Sequence, residues 1–500
     1  MLRRHVTPAL LAFSAMLLCI SARPLLAPRL LPFIAFVLTG GAFGIVLLRT
    51  PLWGRAGLLL VAVTAGCILG TWSIERIVFS GEAASLPIPP AQVSWFSGAL
   101  RQDSSTTQEG DTVLRVALQT AGSEKRAVAG RARGAVLLLL RGSYAFSLGE
   151  TIRVHARLNP FEGRTGENFA ASVQRGDLLR TGTTSPLWAA RASARDWLHR
   201  AVSRAGYPAS SLMEALLIGS REDVTADLYD SFKRTGSLHI LALSGLHVSV
   251  IYGFLILVLG FLPSRGLRLG IATFVLLCYQ VLAGFMPSLL RATIMICLAG
   301  ICISLDRDRE PLNLLSLSGI TILLLNPHEA YSLSFQLSFL ALAGILLLGP
   351  LVQRALEGTL PRVLLAPLAM SLGAQMATFP LVVAKFGVWF PSGLLAGLVL
   401  VPLTTAMLWA GLGWILLASV PWPWLHDAGA RALAILYGAI DQSARIMGRL
   451  PGISFSRPFS TAAVVLSIAA ILCLAILVPR RYPAPLRPAR ASSAAARGSS

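Results

Sequence analysis

The chain is 500 residues long, 55% hydrophobic and only 13% charged, with a mean hydropathy of +0.68; soluble domains carry about 25% charged residues. That apolar surplus is too large for one globular core and excludes an ordinary soluble protein. The formal charge of +20 rests almost wholly on arginine, since Lys125, Lys233 and Lys385 are the only lysines. Two readings of it stand: arginine-rich loops on the cytoplasmic side of a membrane, or contact with a polyanion whose phosphates arginine forks match.

The first 79 residues read as N-terminal transmembrane helices. MLRRHVTPALLAFSAMLLCISA has the build of a signal peptide, with Arg3 and Arg4 ahead of an apolar run. Further apolar segments at 30–48 and 57–79 follow almost at once, which favours an uncleaved first helix. Residues 80–92, SGEAASLPIPPAQ, read as a linker out of the membrane.

Residues 93–185 change character. In ETIRVHARLNP (150–160), Ile152, Val154, Ala156 and Leu158 share one face and Arg153, His155 and Arg157 the other, the period of a half-buried strand. DTVLRVALQ (111–119) and GAVLLLLRG (134–142) are further strand candidates. Short strands with Gly- and Ser-rich turns predict a small β-barrel or sandwich, and an oligonucleotide-binding (OB-like) barrel fits the size. Trp95, Phe96, Tyr144 and Phe146 are either barrel core or stacking groups.

Residues 186–235 read as amphipathic helices. The first carries Trp188 and Trp197 among arginines and suits a membrane surface or an ordinary packed pair. In the last, Leu228 and Phe232 stand four apart ahead of Gly236, a helix face and its stop. From 236 to 479 apolar segments succeed one another. A spanning helix needs roughly 20 apolar residues, so this stretch holds about eight to ten candidates and the first 79 residues about three. The tail, 480–500, is basic and Pro/Ser/Ala-rich, and is expected to be disordered and cytoplasmic. The fold class that results is a polytopic α-helical membrane protein with an inserted small β-barrel, OB-like domain outside the cytoplasm, extracellular or periplasmic.

The stretch TGSLHILALSGLHVSVIYG (235–253) places His239 and His247 inside an apolar segment. On one continuous helix they would stand about 12 Å and about 80° apart, too far to share a metal ion. A zinc-protease pair sits at i and i+4 with a glutamate beside it, and the seven histidines contain no such pattern. Cys19, Cys67, Cys278, Cys297, Cys302 and Cys473 lie in apolar segments with no CxxC, as small core residues do. Neither a metal nor a cofactor is called for, and no catalysis is expected of the chain.

Ser244, Gly245 and Ser249 give the histidine segment a small polar side, which either lets helices pack closely or lines a wet path. Ser288 and Arg291 in GFMPSLLRATI, Gln336 and Ser338 in SFQLSFLALAG, and Gln375 and Lys385 in GAQMATFPLVVAKFG repeat the theme. The charges at depth are positive, so a path lined by them suits an anion; each cation alternatively snorkels to the interface.

Over about residues 210–405 the chain resembles the ComEC family, the inner-membrane DNA-uptake channels of transformable bacteria. LHILALSGLHVSVIYG (238–253) is similar to the family's signature of two histidines flanking a Ser-Gly step, and FKRTGSLH (232–239) to its approach. QVLAGFMPSLLRATIM (280–295), DREPLNLLSLSGITILLLNP (308–327), SFQLSFLALAGILLL (334–348), QMATFPLVVAKFG (375–387) and LLAGLVLVPL (394–403) resemble the later signatures, in the same order. Gly397 departs from a common asparagine. Many members also carry a metallo-β-lactamase-like nuclease domain at the C-terminus; this chain reads as a form lacking that domain. The resemblance implies a channel for single-stranded DNA in natural transformation. His239, Ser244, Gly245, His247, Ser288, Arg291, Gln336, Ser338, Gln375 and Lys385 are its path candidates. The implied partners are single-stranded DNA, membrane lipids, a periplasmic DNA receptor, a cytoplasmic motor or helicase and a separate nuclease. The alternative is a membrane carrier for a smaller anion, such as a nucleotide or lipid headgroup.

Overall fold

A computed structural model describes residues 12–16, 64–66, 68–69 and 85–455, the last stretch without 107–110, 125–127, 143, 145, 162–166, 184, 222, 306–308 and 418–421. Most of the N-terminal helices, the final apolar segment and the basic tail expected from the sequence lie outside the described residues.

Alternation dictates the sheet. β1 (Trp95–Leu100) buries Phe96, Gly98 and Leu100 and turns Trp95, Ser97 and Ala99 outward. β2 (Ser105–Thr106) and β4 (Val128–Arg131) flank the long β3 (Thr112–Ser123), and β5 (Ala135–Leu140) runs antiparallel along it. β6 (Glu150–Val154), β7 (Asn159–Pro160), β8 (Phe169–Val173) and β9 (Leu178–Thr183) complete an order of β7-β8-β5-β3-β1-β6-β9. Inward residues of all the long strands, among them Phe96, Leu114, Leu138, Ile152 and Val173, form one apolar core.

The expected barrel is not closed. No ladder among the described residues joins β7 to β9. β7 is two residues long, and its Pro160 has no N–H to extend a ladder. β9 buries only Leu178, so nothing apolar draws its far side inward.

The helices start against this sheet. α1 (Pro186–Ser203) lays Trp188 on Gly149 at the start of β6. In α2 (Ala209–Ile218) every residue is buried, so within the stretch 186–235 that reads as amphipathic this helix is buried on all sides. α3 (Ala226–Arg234) is amphipathic as its spacing predicts, with Leu228 and Phe232 fully buried and Gly236 in a left-handed turn beyond it. A core of α1, α2 and α3 residues continues into α5 (Gly245–Val258), α12 (Ser392–Leu417) and α13 (Pro423–Met447).

α6 (Arg265–Ala283), α7 (Pro287–Ser304), α11 (Arg362–Phe386) and α12 are long and apolar enough to cross a membrane. α9 (Leu333–Leu347) and α10 (Gly349–Ala355), bent by 42°, make a fifth candidate span. α8 (Pro311–Leu325) is a shorter apolar helix. Phe274, Ile301, Met370 and Leu416 point outward from four of these helices, the arrangement lipid would cover. The piece at 12–16 joins the same body: Phe13 packs against the Phe339 ring of α9 in a tilted pair and fills the space above Gly319 of α8.

Candidate functional site

The histidine segment is not one helix. α4 (Leu238–Leu241) is a single turn, Ala242 and Ser244 are extended, and α5 begins afresh at Gly245. Ser244 is the N-cap. Its side chain accepts from the third amide of α5, that of His247, and the His247 ring answers with Nδ1 3.2 Å from the Ser244 amide and 2.9 Å from Ser244 Oγ. This is a capping box with histidine in the place of glutamate. His239 and His247 therefore stand on two separate helices and not about 80° apart on a continuous one. A cap satisfies donors that an apolar surrounding would leave stranded, so the chain can break here at modest cost.

The break faces Arg291. α6 ends at Gly284, and Pro287 opens α7 after a three-residue turn. One turn into α7, Arg291 is 8% exposed. Its Nη1 donates to the Ser338 carbonyl of α9 at 3.1 Å, and its guanidinium lies 5.9 Å from the Phe339 ring centre. Nη2 lies against Gly245; a Cβ there would stand 2.5 Å from it. Gly245 is therefore needed for close approach, not for an unusual backbone angle. Nε of Arg291 is buried without an acceptor, and no carboxylate pairs with this cation among the described residues.

Ser288, three residues before Arg291 on the same face, places its hydroxyl 3.3 Å from that of Ser334. A polar seam thus runs between α7 and α9 and ends at the first turn of α5. The structure brings Ser244, Gly245, His247, Ser288, Arg291 and the backbone of Ser338 together. Gln336 turns away and donates to the Ala330 carbonyl at 2.9 Å, which pins the connection before α9. His239 and Gln375 belong to a second group around the α3–α4 turn. His239 Nδ1 is 3.3 Å from the Gly236 carbonyl, and Gln375 Nε2 and the Thr235 carbonyl border Gly393. Beside them Ser237 and Ser392 hold buried hydroxyls with no partner. Lys385 is exposed on the last turn of α11, where a cation complements the helix C-terminus, and no contact joins it to Arg291.

Two polar features escape sequence reasoning. Gln280 of α6 donates to Thr293 Oγ1 of α7 at 2.5 Å and keeps a buried, unpartnered Oε1. A lone glutamine after an apolar run signals this only weakly. Asp103, in the loop after β1, accepts two bonds from Arg191 at 2.8 and 2.6 Å, one from Arg195 at 3.0 Å and one from the Leu148 amide at 2.7 Å. The same arginines donate to the Val281 and Leu282 carbonyls at 2.7 and 3.3 Å, at the C-terminal end of α6. Gly284 completes this latch. Its φ of +95° favours glycine, and a Cβ there would stand a tight 3.2 Å from Asp103 Oδ2 and 3.3 Å from Arg191 Nη2. The latch ties the sheet, α1 and the α6–α7 turn together, one turn ahead of Arg291.

On the sheet, Phe96 and Phe146 are core residues. Trp95 and Tyr144 are half-buried, with the guanidinium groups of Arg153 and Arg175 at 4.9 and 5.5 Å; Arg180 covers Phe146 at 4.2 Å. Arg175 also donates to the Leu178 carbonyl at 3.1 Å and Arg180 lies 3.7 Å from Glu150, so these guanidinium groups meet a ring and an acceptor together.

Comparison with known proteins agrees with this region. ComE operon protein 3 of Bacillus subtilis (strain 168) is 31% identical over 188 residues, 35% of this chain and 22% of that protein. An uncharacterized protein of Aquifex aeolicus (strain VF5) is 35% identical over 195 residues, 38% of this chain and 44% of its own. The matches cover less than half the length of either relative. No solved structure matches the chain. The profile of the competence protein family matches residues 216–482, more than half of the 500 and the whole of the broken-helix region, so the chain, a multi-pass membrane protein by its apolar helices, belongs to the competence protein (ComEC) family.

Proposed function

We propose that the protein is an inner-membrane channel that passes single-stranded DNA inward during natural transformation. The observation that carries this reading is the broken apolar segment at 242–244, whose restart faces a buried arginine with no carboxylate partner among the described residues. Interrupted helices with polar termini inside an apolar bundle are how membrane proteins line a path. A strand carries one phosphate charge per nucleotide and cannot enter hydrocarbon without such groups. Family membership supports DNA as the cargo.

In this reading the sheet lies outside the cytoplasm and holds the strand by phosphate contact and stacking, as OB-like surfaces do. Arg153, Arg175 and Arg180 over their rings suit that task. The chain does no chemistry; a receptor, a motor and a nuclease are separate partners. The test is entry of fluorescent double-stranded DNA into the DNase-protected cytoplasm. Signal that stops in the periplasm in cells lacking the gene, and returns on complementation, supports the channel. Unchanged cytoplasmic entry rejects it and moves the assignment to a carrier of smaller anions.

A further inference from the structure

We propose that Arg291 and the first turn of α5 form a phosphodiester-binding site, a station that holds one phosphate of the strand at a time. The inference rests on the channel reading and adds a discrete site to it. It starts from an electrostatic conflict. A helix N-terminus carries a partial positive charge, and cations stabilise the opposite end. Here a buried guanidinium is pressed against an N-terminus, at Gly245. Two positive groups in an apolar bundle repel each other at low dielectric. A buried cation without a partner is costly, and no carboxylate meets this one among the described residues.

The donors left over fit an anion. The capping box uses the His247 amide and the Ser244 hydroxyl. The first two amides of α5, Gly245 and Leu246, have no acceptor in the helix by geometry. Gly245 is half-buried and Leu246 exposed, so the turn is open on the side away from the core. Arg291 adds its buried, unpartnered Nε and the Nη2 that lies against Gly245, while the Ser338 carbonyl holds Nη1. Amides at a helix start plus an arginine fork make a phosphate cradle. Ser288 and Ser334 lie a turn away along the seam and offer a hydroxyl to a ligand leaving the cradle.

The phosphodiester could come from a nucleic-acid strand or a lipid headgroup, and the test separates them. The full chain is purified in a phosphate-free maltoside detergent. It is titrated at constant ionic strength with the dinucleoside phosphate TpT, and separately with short-chain dihexanoyl phosphatidylglycerol. Expected is saturable TpT binding that chloride does not reproduce. Arg291→Gln and Gly245→Ala should each weaken it at least tenfold, with Arg431→Gln, exposed on α13, unchanged. Gly245→Ala keeps every charge and only displaces the guanidinium, so it decides the matter if Arg291→Gln does not fold. Absence of saturable binding of either probe to the wild-type chain overturns the site, as does TpT binding that both variants leave intact; the channel reading then stands or falls on the uptake assay. Binding of the lipid alone, lost in both variants, leaves a phosphodiester site but overturns the station for the strand, and the uptake assay again decides the channel reading.

Discussion

At the scale of single residues, His247 and Gly245 have separable jobs. His247 closes the capping box through Nδ1, a task glutamine performs equally well at the third helical position. His247→Gln should therefore retain DNA uptake, while His247→Ala should lose about 1 kcal/mol of helix-start stability and several-fold in uptake. Measurement of both variants at matched membrane levels decides it; a failure of the glutamine variant would assign the imidazole a role beyond capping. Arg291 was legible in the sequence as a charge inside an apolar run, and its neighbours Ser288 and Ser338 as polar interruptions. The break at Ala242–Ser244 was not. The run from Leu238 to Val258 is apolar enough to read as one helix, and histidine is not the residue that usually announces a capping box. Lys385 shows the limit of the same reasoning: depth in the sequence placed it with Arg291, whereas the length of α11 carries it to the helix end.

At the scale of elements, the latch sets how the sheet meets the helices. The Arg191 side chain is 1% exposed and Asp103 20%, so removing one partner strands the other in a dry contact, at a cost of about 3–5 kcal/mol. Asp103→Asn and Arg191→Ala should each free the α6–α7 turn and raise hydrogen exchange in β1, the N-terminal half of α1 and the end of α6 together; exchange confined to the mutated element would mean the latch is local packing. The α1–α2 contact should respond to pH. His199 Nδ1 lies 2.8 Å from Glu214 Oε1. The Glu214 bond holds the half-exposed His199 above its usual range, and burial pushes Glu214 up even though the histidine opposes it. A raised histidine contributes stability that is complete below its unfolded pKa and fades as pH rises through the folded one. A raised carboxyl works in the same sense, because its ionised form is the one burial penalises. Exchange protection of α2 should thus fall from pH 6 to pH 8.5, and His199→Ala should flatten the change. The strands of 93–185 were legible from period, since β6 buries Ile152 and Val154 as their alternation requires; the count of about eight to ten spans after residue 236 was not, because α5 and α8 are shorter apolar helices and the described residues hold four candidate spans, or five with α9 and α10 as one. Nor were the open sheet and the latch. An edge depends on what lies beside it, and Asp103 finds its partner 88 residues away, where no local pattern reaches. The burial of α2 on all sides comes likewise from its neighbours, not from its own composition.

At the scale of the whole molecule, the latch joins the arginine-bearing sheet to the turn before the helix that carries Arg291. Arg153, Arg175 and Arg180 stand on the sheet over Trp95, Tyr144 and Phe146, the latch fastens that sheet to the α6–α7 turn, and Arg291 follows one turn into α7. A strand handed from sheet to bundle would release counterions at each arginine it meets. The log–log dependence of single-strand affinity on salt falls by about 0.7 per phosphate neutralised. Replacing the three sheet arginines by alanine should therefore reduce the slope by about 2, weaken binding of the detergent-solubilised full chain at low salt, and change affinity similarly for all base sequences. Arg291→Gln should instead leave the slope for long strands within one phosphate of the wild type, because it contributes a single contact, while uptake falls sharply because that contact lies in the bundle. An unchanged slope in the triple variant would take the sheet off the strand's route and leave α5 and α7 as the first place DNA meets the protein. A slope lost equally in both variants would mean the strand binds the bundle and the sheet as one surface, with the latch as its hinge point.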